Sequence, residues 1–178
     1  MGLLCLVFAL FVVANALDNG LGLKPIRGFN TWDSFRCDFD QADVIRTIDA
    51  ITALKLQSFG WNYFNLDDCW ATSRSADGTI VADEKKFPAG IAYLAAYAHS
   101  KGLLFGIYTD RGNMTCAGRP GSAGYEKQDA RTYASWGVDL VKVECLLEVF
   151  IFIHSSFSRK IHATQLRIIL WHSTNMQS

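Results

Sequence analysis

The feature that most constrains this chain is a recurrence of short apolar runs that each finish on polar side chains. WNYFNL (residues 61–66) leads into Asp67-Asp68-Cys69-Trp70, and LLFGIY (103–108) ends in Thr109-Asp110. VDLVKV (138–143) carries Lys142 and stops at Glu144, and an earlier run near Ile26 to Asn30 leads to Trp32. Helical periods separate these runs. Asp40 to Phe59 sets Val44, Ile45, Ile48, Ile51 and Leu54 on one face, with Asp40 as N-cap and Gly60 as stop. Pro88 opens a second helix, Ala89 to Lys101, with Ile91, Leu94, Ala95 and Ala98 aligned and Gly102 as its C-cap. Tyr125 to Trp136 is a third, stopped by Gly137, and ATSRSADGTIVADEKK reads as a polar connection turning at Asp77-Gly78.

Apolar strands roughly 35 to 40 residues apart, with a helix between each, predict parallel βα units. A doubly wound open sheet and a (β/α)₈ barrel both fit. No G-x-G-x-x-G follows any strand, so a dinucleotide fold lacks its mark. Polar groups at the strand ends are where βα barrels build their sites, and the barrel is the preferred reading. A whole barrel takes ~250 residues. The chain has 178, so it holds about the first four βα units of an incomplete TIM-type barrel.

Leu3 to Val13 has the length of a signal-peptide apolar region, and Ala14-Asn15-Ala16 fits a cleavage site, although no Lys or Arg precedes it. A membrane anchor is the alternative, but the run is shorter than the ~20 residues a span requires. Residues 1–16 are therefore expected to be a leader, 17–145 the barrel portion and 146–178 a divergent tail. That tail has no Gly, Pro or Asp and holds three of the four histidines. It reads as a further helix or strand, or, preferably, as sequence foreign to the domain. Seventeen basic and seventeen acidic residues cancel, which gives no reason to expect nucleic acid or an anionic membrane as partner. Without Cys5, four cysteines remain: Cys37, Cys69, Cys116 and Cys145. In a secreted chain they suggest two disulfides with three possible connectivities. Zinc is a poor rival, since no C-x-x-C exists and only His99 precedes the tail. Asn113-Met114-Thr115 is an N-glycosylation sequon.

The strand ends suggest sugar chemistry. Carboxylates at Asp67 and Asp68 can accept several hydroxyls, and Trp70 beside them offers an aromatic face for a sugar ring. The bland alternative is helix capping or ion pairing. Trp32 and Tyr108 fit either a core or a ligand platform. Lys142 inside an apolar strand must face a polar cavity or an acid. Glu144 shares its parity, and a carboxylate beside an ammonium stays ionised, as a nucleophile must. A structural ion pair would look the same.

GFNTWDSFRC, FNLDDCW and the stretch from KFPAGIAYLAAYAHSKG to WGVDLVK together resemble the α-galactosidase / α-N-acetylgalactosaminidase family of glycoside hydrolases, family 27, from Gly22 to Cys145. The resemblance implies a retaining exo-glycosidase on a (β/α)₈ barrel, with no metal or organic cofactor, acting on terminal α-galactosides. It implies sugar-binding roles for Trp32, Asp67, Asp68, Tyr108 and Lys142, and disulfides Cys37–Cys69 and Cys116–Cys145. It puts Glu144 at the nucleophile position, where the family has Asp. It also implies a secreted, lysosomal or vacuolar enzyme. Three departures stand out. Glu144 is one methylene longer than Asp. Cys145 follows the acid directly, where many relatives insert a residue. The pattern stops after Cys145, before the family's acid/base Asp and its specificity loop, and the tail's single acid, Glu148, sits in no supporting motif. Little or no activity is expected. A galactose-binding remnant, or a relative acting on α-N-acetylgalactosaminides or β-arabinopyranosides, is the alternative.

Overall fold

A computed structural model describes residues 25–144 and 167–169. In chain order the elements are β1 (Gly28–Asn30), α1 (Thr31–Phe35), α2 (Gln41–Ala53), a 3₁₀ turn (Leu56–Phe59), β2 (Tyr63–Leu66), β3 (Ala71–Arg74) and β4 (Ile80–Ala82). They continue with α3 (Ile91–Ser100), β5 (Leu104–Asp110), α4 (Glu126–Ser135), β6 (Leu140–Glu144) and β7 (Arg167–Ile169). One sheet runs β1-β2-β5-β6-β7 with every neighbouring pair parallel. Its order follows the chain without reversal. A doubly wound sheet reverses at a switch point, so this order is that of barrel staves. Three residues of the tail, as β7, extend the sheet beyond β6.

Register fixes what each face carries. Phe29, Phe64 and Phe105 are mutual partners across β1, β2 and β5, and their rings follow at 5.8 and 6.0 Å. With Leu66, Ile107, Val141 and Val143 they join one core with Val44, Ile48 and Ile51 of α2 and Ile91, Leu94, Ala95 and Ala98 of α3. Successive strand residues point to opposite faces. The helix-covered face therefore takes Phe64, Phe105 and Val143, and the other face takes Asn65, Asp67, Tyr108, Lys142 and Glu144. One alternation buries the core and lines the barrel interior.

The helices form for local reasons. Asp40 Oδ1 accepts from the N–H groups of Ala42 and Asp43, at 2.8 and 3.0 Å, while Asp43 Oδ2 accepts from the Asp40 N–H. This capping box is worth about 1 kcal/mol. α2 stops at Ala53 rather than running to Phe59, because Lys55 takes a left-handed conformation (φ 54°) and the next turn tightens to 3₁₀. Leu54, expected on the apolar face, is 66% exposed as a result. The stretch expected to be a polar connection is an antiparallel hairpin, β3 against β4. Its turn lies at Asp77-Gly78 as expected: Asp77 Oδ1 accepts from the Ser75 hydroxyl and the Thr79 N–H. The short helix α1 after β1 was not visible in the periodicity.

Candidate active site

The site grows from the ends of β2, β5 and β6. Asp67 directly follows β2, and its N–H donates to the Thr31 hydroxyl at 2.9 Å, tying the strand end to the first turn of α1. Asp68 follows, its N–H bound to Asp67 Oδ1. Cys69 then turns with φ 74°, a left-handed conformation that costs a non-glycine residue energy. Its disulfide to Cys37 and its N–H bond to Asp68 Oδ1 at 2.7 Å hold the turn. The turn lets two adjacent carboxylates, each 2% exposed, serve different partners.

Lys142 is the centre of the first group. Its ammonium lies 2.8 Å from Asp67 Oδ2 and 2.9 Å from Glu144 Oε1. It also stands 5.1 Å from the centre of the Tyr108 ring, within cation–π range. Burial alone would lower its pKa. Asp67 and Glu144 outweigh that and hold it above the ordinary 10.5, so the ammonium keeps its charge. Tyr108 is the register partner of Lys142, and its hydroxyl donates to Glu144 Oε2 at 3.2 Å. Burial first, and then the Glu144 charge, push the Tyr108 phenol far above its usual range. It remains a neutral donor. Glu144 is thus held from both oxygens, one by a cation and one by a phenol. The arrangement can present one carboxylate, aimed and charge-balanced, at the mouth of the staves.

Asp68 belongs to a second group. Its Oδ1 accepts from the Thr115 hydroxyl at 2.9 Å and its Oδ2 from the Ala117 N–H at 3.0 Å. It latches the loop between β5 and α4. Cys116 lies on that loop with its thiol 3.7 Å from Glu144 Oε2 and 3.8 Å from the Tyr108 hydroxyl. Burial, with Glu144 adding to it, raises the thiol pKa. The partner implied for it, Cys145, lies outside the described residues.

Of the seven residues singled out in the sequence, Asp67, Tyr108, Lys142 and Glu144 come into one bonded cluster. Asp68 adjoins it through its own loop. Trp32 follows Thr31 in α1, half-buried, with its N–H capped by Asn30 Oδ1 at 3.0 Å; among the described residues its indole makes no hydrogen bond to the cluster. Trp70 is a correction. It is buried at 2% exposure and packs edge-on to Tyr133 and Trp136. Its indole N–H donates to the Tyr108 carbonyl at 2.9 Å. It is core, not a sugar platform. Sequence reasoning passed over Thr31, Thr115 and Cys116 as site neighbours. Thr115 carried a signal only as part of the sequon.

Among the described residues no group of three or more His, Cys, Asp or Glu could hold a metal ion. No helix there is long and apolar enough to cross a membrane.

The sequence profile of the family described as "Alpha galactosidase A" matches residues 24–168. The chain is 48% identical over 128 residues to a probable alpha-galactosidase of Dictyostelium discoideum, covering 72% of this chain and 33% of that one. It is 50% identical over 130 residues to an alpha-galactosidase of Coffea arabica, covering 72% and 34%. In structure it matches the alpha-galactosidase of Saccharomyces cerevisiae with raffinose at a TM-score of 0.70 and 44% identity, covering 71% of this chain and 28% of that one. The chain thus spans about a third of the curated relatives it matches, and the matched portion is part of a (β/α)₈ barrel. The chain belongs to glycoside hydrolase family 27, the α-galactosidase family.

Proposed function

We propose that the chain carries the sugar-binding half of a retaining exo-α-galactosidase site, with Glu144 in the nucleophile's place. The observation that supports it most is Lys142 bridging Asp67 and Glu144 at the strand ends. A terminal galactose is rich in hydroxyls, and this floor offers carboxylate acceptors, one ammonium and one phenol to orient them. Asp67, Asp68, Lys142 and Tyr108 bind the sugar, and Trp32 covers its apolar side. Glu144 attacks the anomeric carbon. Oligosaccharides of the raffinose kind, as in the yeast relative's complex, are the substrate class.

Retaining hydrolysis needs two carboxyls ~5–5.5 Å apart across the glycosidic bond, one donating a proton to the leaving group. Asp67 cannot be that donor, since it shares the ammonium of Lys142 with Glu144 on one side of the cavity. The chain as it stands is therefore proposed to turn over natural galactosides weakly or not at all. Hydrolysis of an aryl α-galactoside by the purified chain tests this, and turnover near that of a complete relative would sink it. A second reading is a galactose-binding remnant, which the acceptors and donors of Asp67, Lys142 and Tyr108 support without an acid partner. Calorimetry with galactose separates the two: heat without turnover favours the remnant, and no heat removes it.

The same proposal covers the setting. Residues 1–16 act as a secretory leader, the Cys116–Cys145 disulfide forms, Asn113 is glycosylated, and the product is extracellular, lysosomal or vacuolar. The Cys37–Cys69 bond, of a kind favoured in oxidising compartments, supports this.

A further inference from the structure

A groove of about 310 Å³ opens on the outer side of the loop that Asp68 latches. Thr72 of β3, Met114, Pro120, Gly121 and Tyr125 line it together with Asn113. Met114 is 63% exposed and Tyr125 40%, an apolar and an aromatic surface left open side by side. Among the described residues, the one cation in its wall is Arg74, and it is already partnered. Arg74 donates to both oxygens of Asp129 at 2.7 Å, to the Gly121 carbonyl at 2.7 Å and to the Gly78 carbonyl at 2.9 Å. Its guanidinium also lies over the Tyr125 ring at 4.1 Å. An anionic ligand would meet a cation whose charge Asp129 already balances. A neutral ring with one apolar face and several hydroxyls suits the groove, and the volume is near the small end for ligand pockets.

From these surroundings we infer that the groove seats the first sugar of an N-linked glycan carried by Asn113 itself. This rests on the proposed secretory route. The attachment point is part of the groove wall, so the sugar arrives tethered and loses little freedom on docking. Transfer forms a bond between Asn113 Nδ2 and C1 of an N-acetylglucosamine. It breaks the C1–O bond to a lipid-linked diphosphate, and the lipid diphosphate leaves with the amide proton. The sequon's own hydroxyl, Thr115 Oγ1, is buried against Asp68 in the folded chain, so the transfer precedes closure of that latch. The same loop then carries a sugar on its outer side and holds a site carboxylate on its inner side. The seated sugar braces the loop that bears Thr115, Cys116 and Ala117.

The test uses the whole chain produced through a eukaryotic secretory pathway. Intact mass reports whether Asn113 is occupied. An amidase that cleaves the Asn–sugar bond is then applied to the folded and to the unfolded chain. Seating predicts cleavage at least tenfold slower in the folded chain, and Met114→Ala, which strips the apolar wall, should recover most of that rate. Equal rates before and after unfolding overturn the seat while leaving the glycan and the enzymatic reading intact. An unmodified Asn113 in a secreted product overturns the seat and the glycosylation together.

Discussion

The Lys142 ammonium reaches Asp67 across the width of an intervening strand: Lys142 sits on β6, Asp67 is the residue directly after β2, and β5 runs between those two strands. One ion pair thereby ties three staves together at the mouth of the site, with Tyr108 of β5 beneath the cation. The pair is largely buried, so breaking it from one side leaves charge without a partner. Lys142→Met should lower stability by about 3 kcal/mol, read by thermal unfolding, and should abolish galactose binding in the calorimeter. Unchanged binding in this variant would remove Lys142 from the sugar site.

The charge of Lys142 also sets a pH window. Its folded-state pKa lies above 10.5 because Asp67 and Glu144 outweigh its burial. A group whose pKa rises on folding contributes stability that is full below its unfolded value and fades as pH climbs through the folded one. Between pH 5 and 9 Lys142 therefore does not titrate. Denaturation midpoints should show no alkaline loss from this site below about pH 10.

Glu144 extends one methylene further than the family's Asp. Its two oxygens are held by Lys142 and Tyr108, and in the proposed nucleophile role the extra methylene changes its reach. A displacement of this size can cost ~10²-fold in rate. With an activated aryl galactoside, whose leaving group needs no acid, Glu144→Asp should raise turnover by roughly tenfold to 10²-fold. Glu144→Gln should remove it. Parity between the native chain and the Gln variant would rule out Glu144 as nucleophile.

Asn65 lies one layer below the charged cluster, 6% exposed, its amide leaning over Gly106. A Cβ at Gly106 would come 2.4 Å from Asn65 Oδ1 and 3.1 Å from Leu140 Cδ2. Gly106→Ala should therefore destabilise the fold by about 1–3 kcal/mol. Adding Asn65→Ala should return most of that loss, since the clash and the amide vanish together. A double-mutant cycle by urea denaturation measures the coupling; purely additive effects would mean that the amide is not what the glycine accommodates.

The Cys37–Cys69 disulfide closes a loop of sequence separation 32 and ends on the left-handed turn that aims Asp67 and Asp68. By loop closure alone it contributes roughly 3–4 kcal/mol. Cys37→Ser with Cys69→Ser should lower the melting temperature. It should also weaken galactose binding beyond the effect of stability, if measured where both forms are folded.

How much of this could be read from the sequence depended on the range of the interaction. Parity within β6 placed Lys142 and Glu144 on one face, and the recurrence of polar strand ends gave the barrel mouth, because both follow from strand geometry alone. The cap at Asp40 was equally local. Trp70 was misjudged because adjacency to Asp67 and Asp68 says nothing of direction: the Cys69 turn sends the indole into the core beside Tyr133 and Trp136. The hairpin β3–β4 went unseen because its polar residues are anchored from afar, by Arg74 on Asp129 fifty-five positions away. Asp68 looked like a sugar ligand of the same rank as Asp67. Only the fold reveals that it also holds a loop, since Thr115 and Ala117 arrive from β5's far side.

That loop latch limits what Asp68 can offer a ligand. An ionised carboxylate has about four lone-pair directions. Cys69 and Thr115 occupy both on Oδ1, and Ala117 takes one on Oδ2. Among the described residues that leaves one direction open. Asp68 can welcome a single sugar hydroxyl without disturbing the loop, and a second would have to evict Thr115 or Ala117. Recognition at this carboxylate is thus rationed, and a ligand that asks for more must loosen the wall around its own pocket.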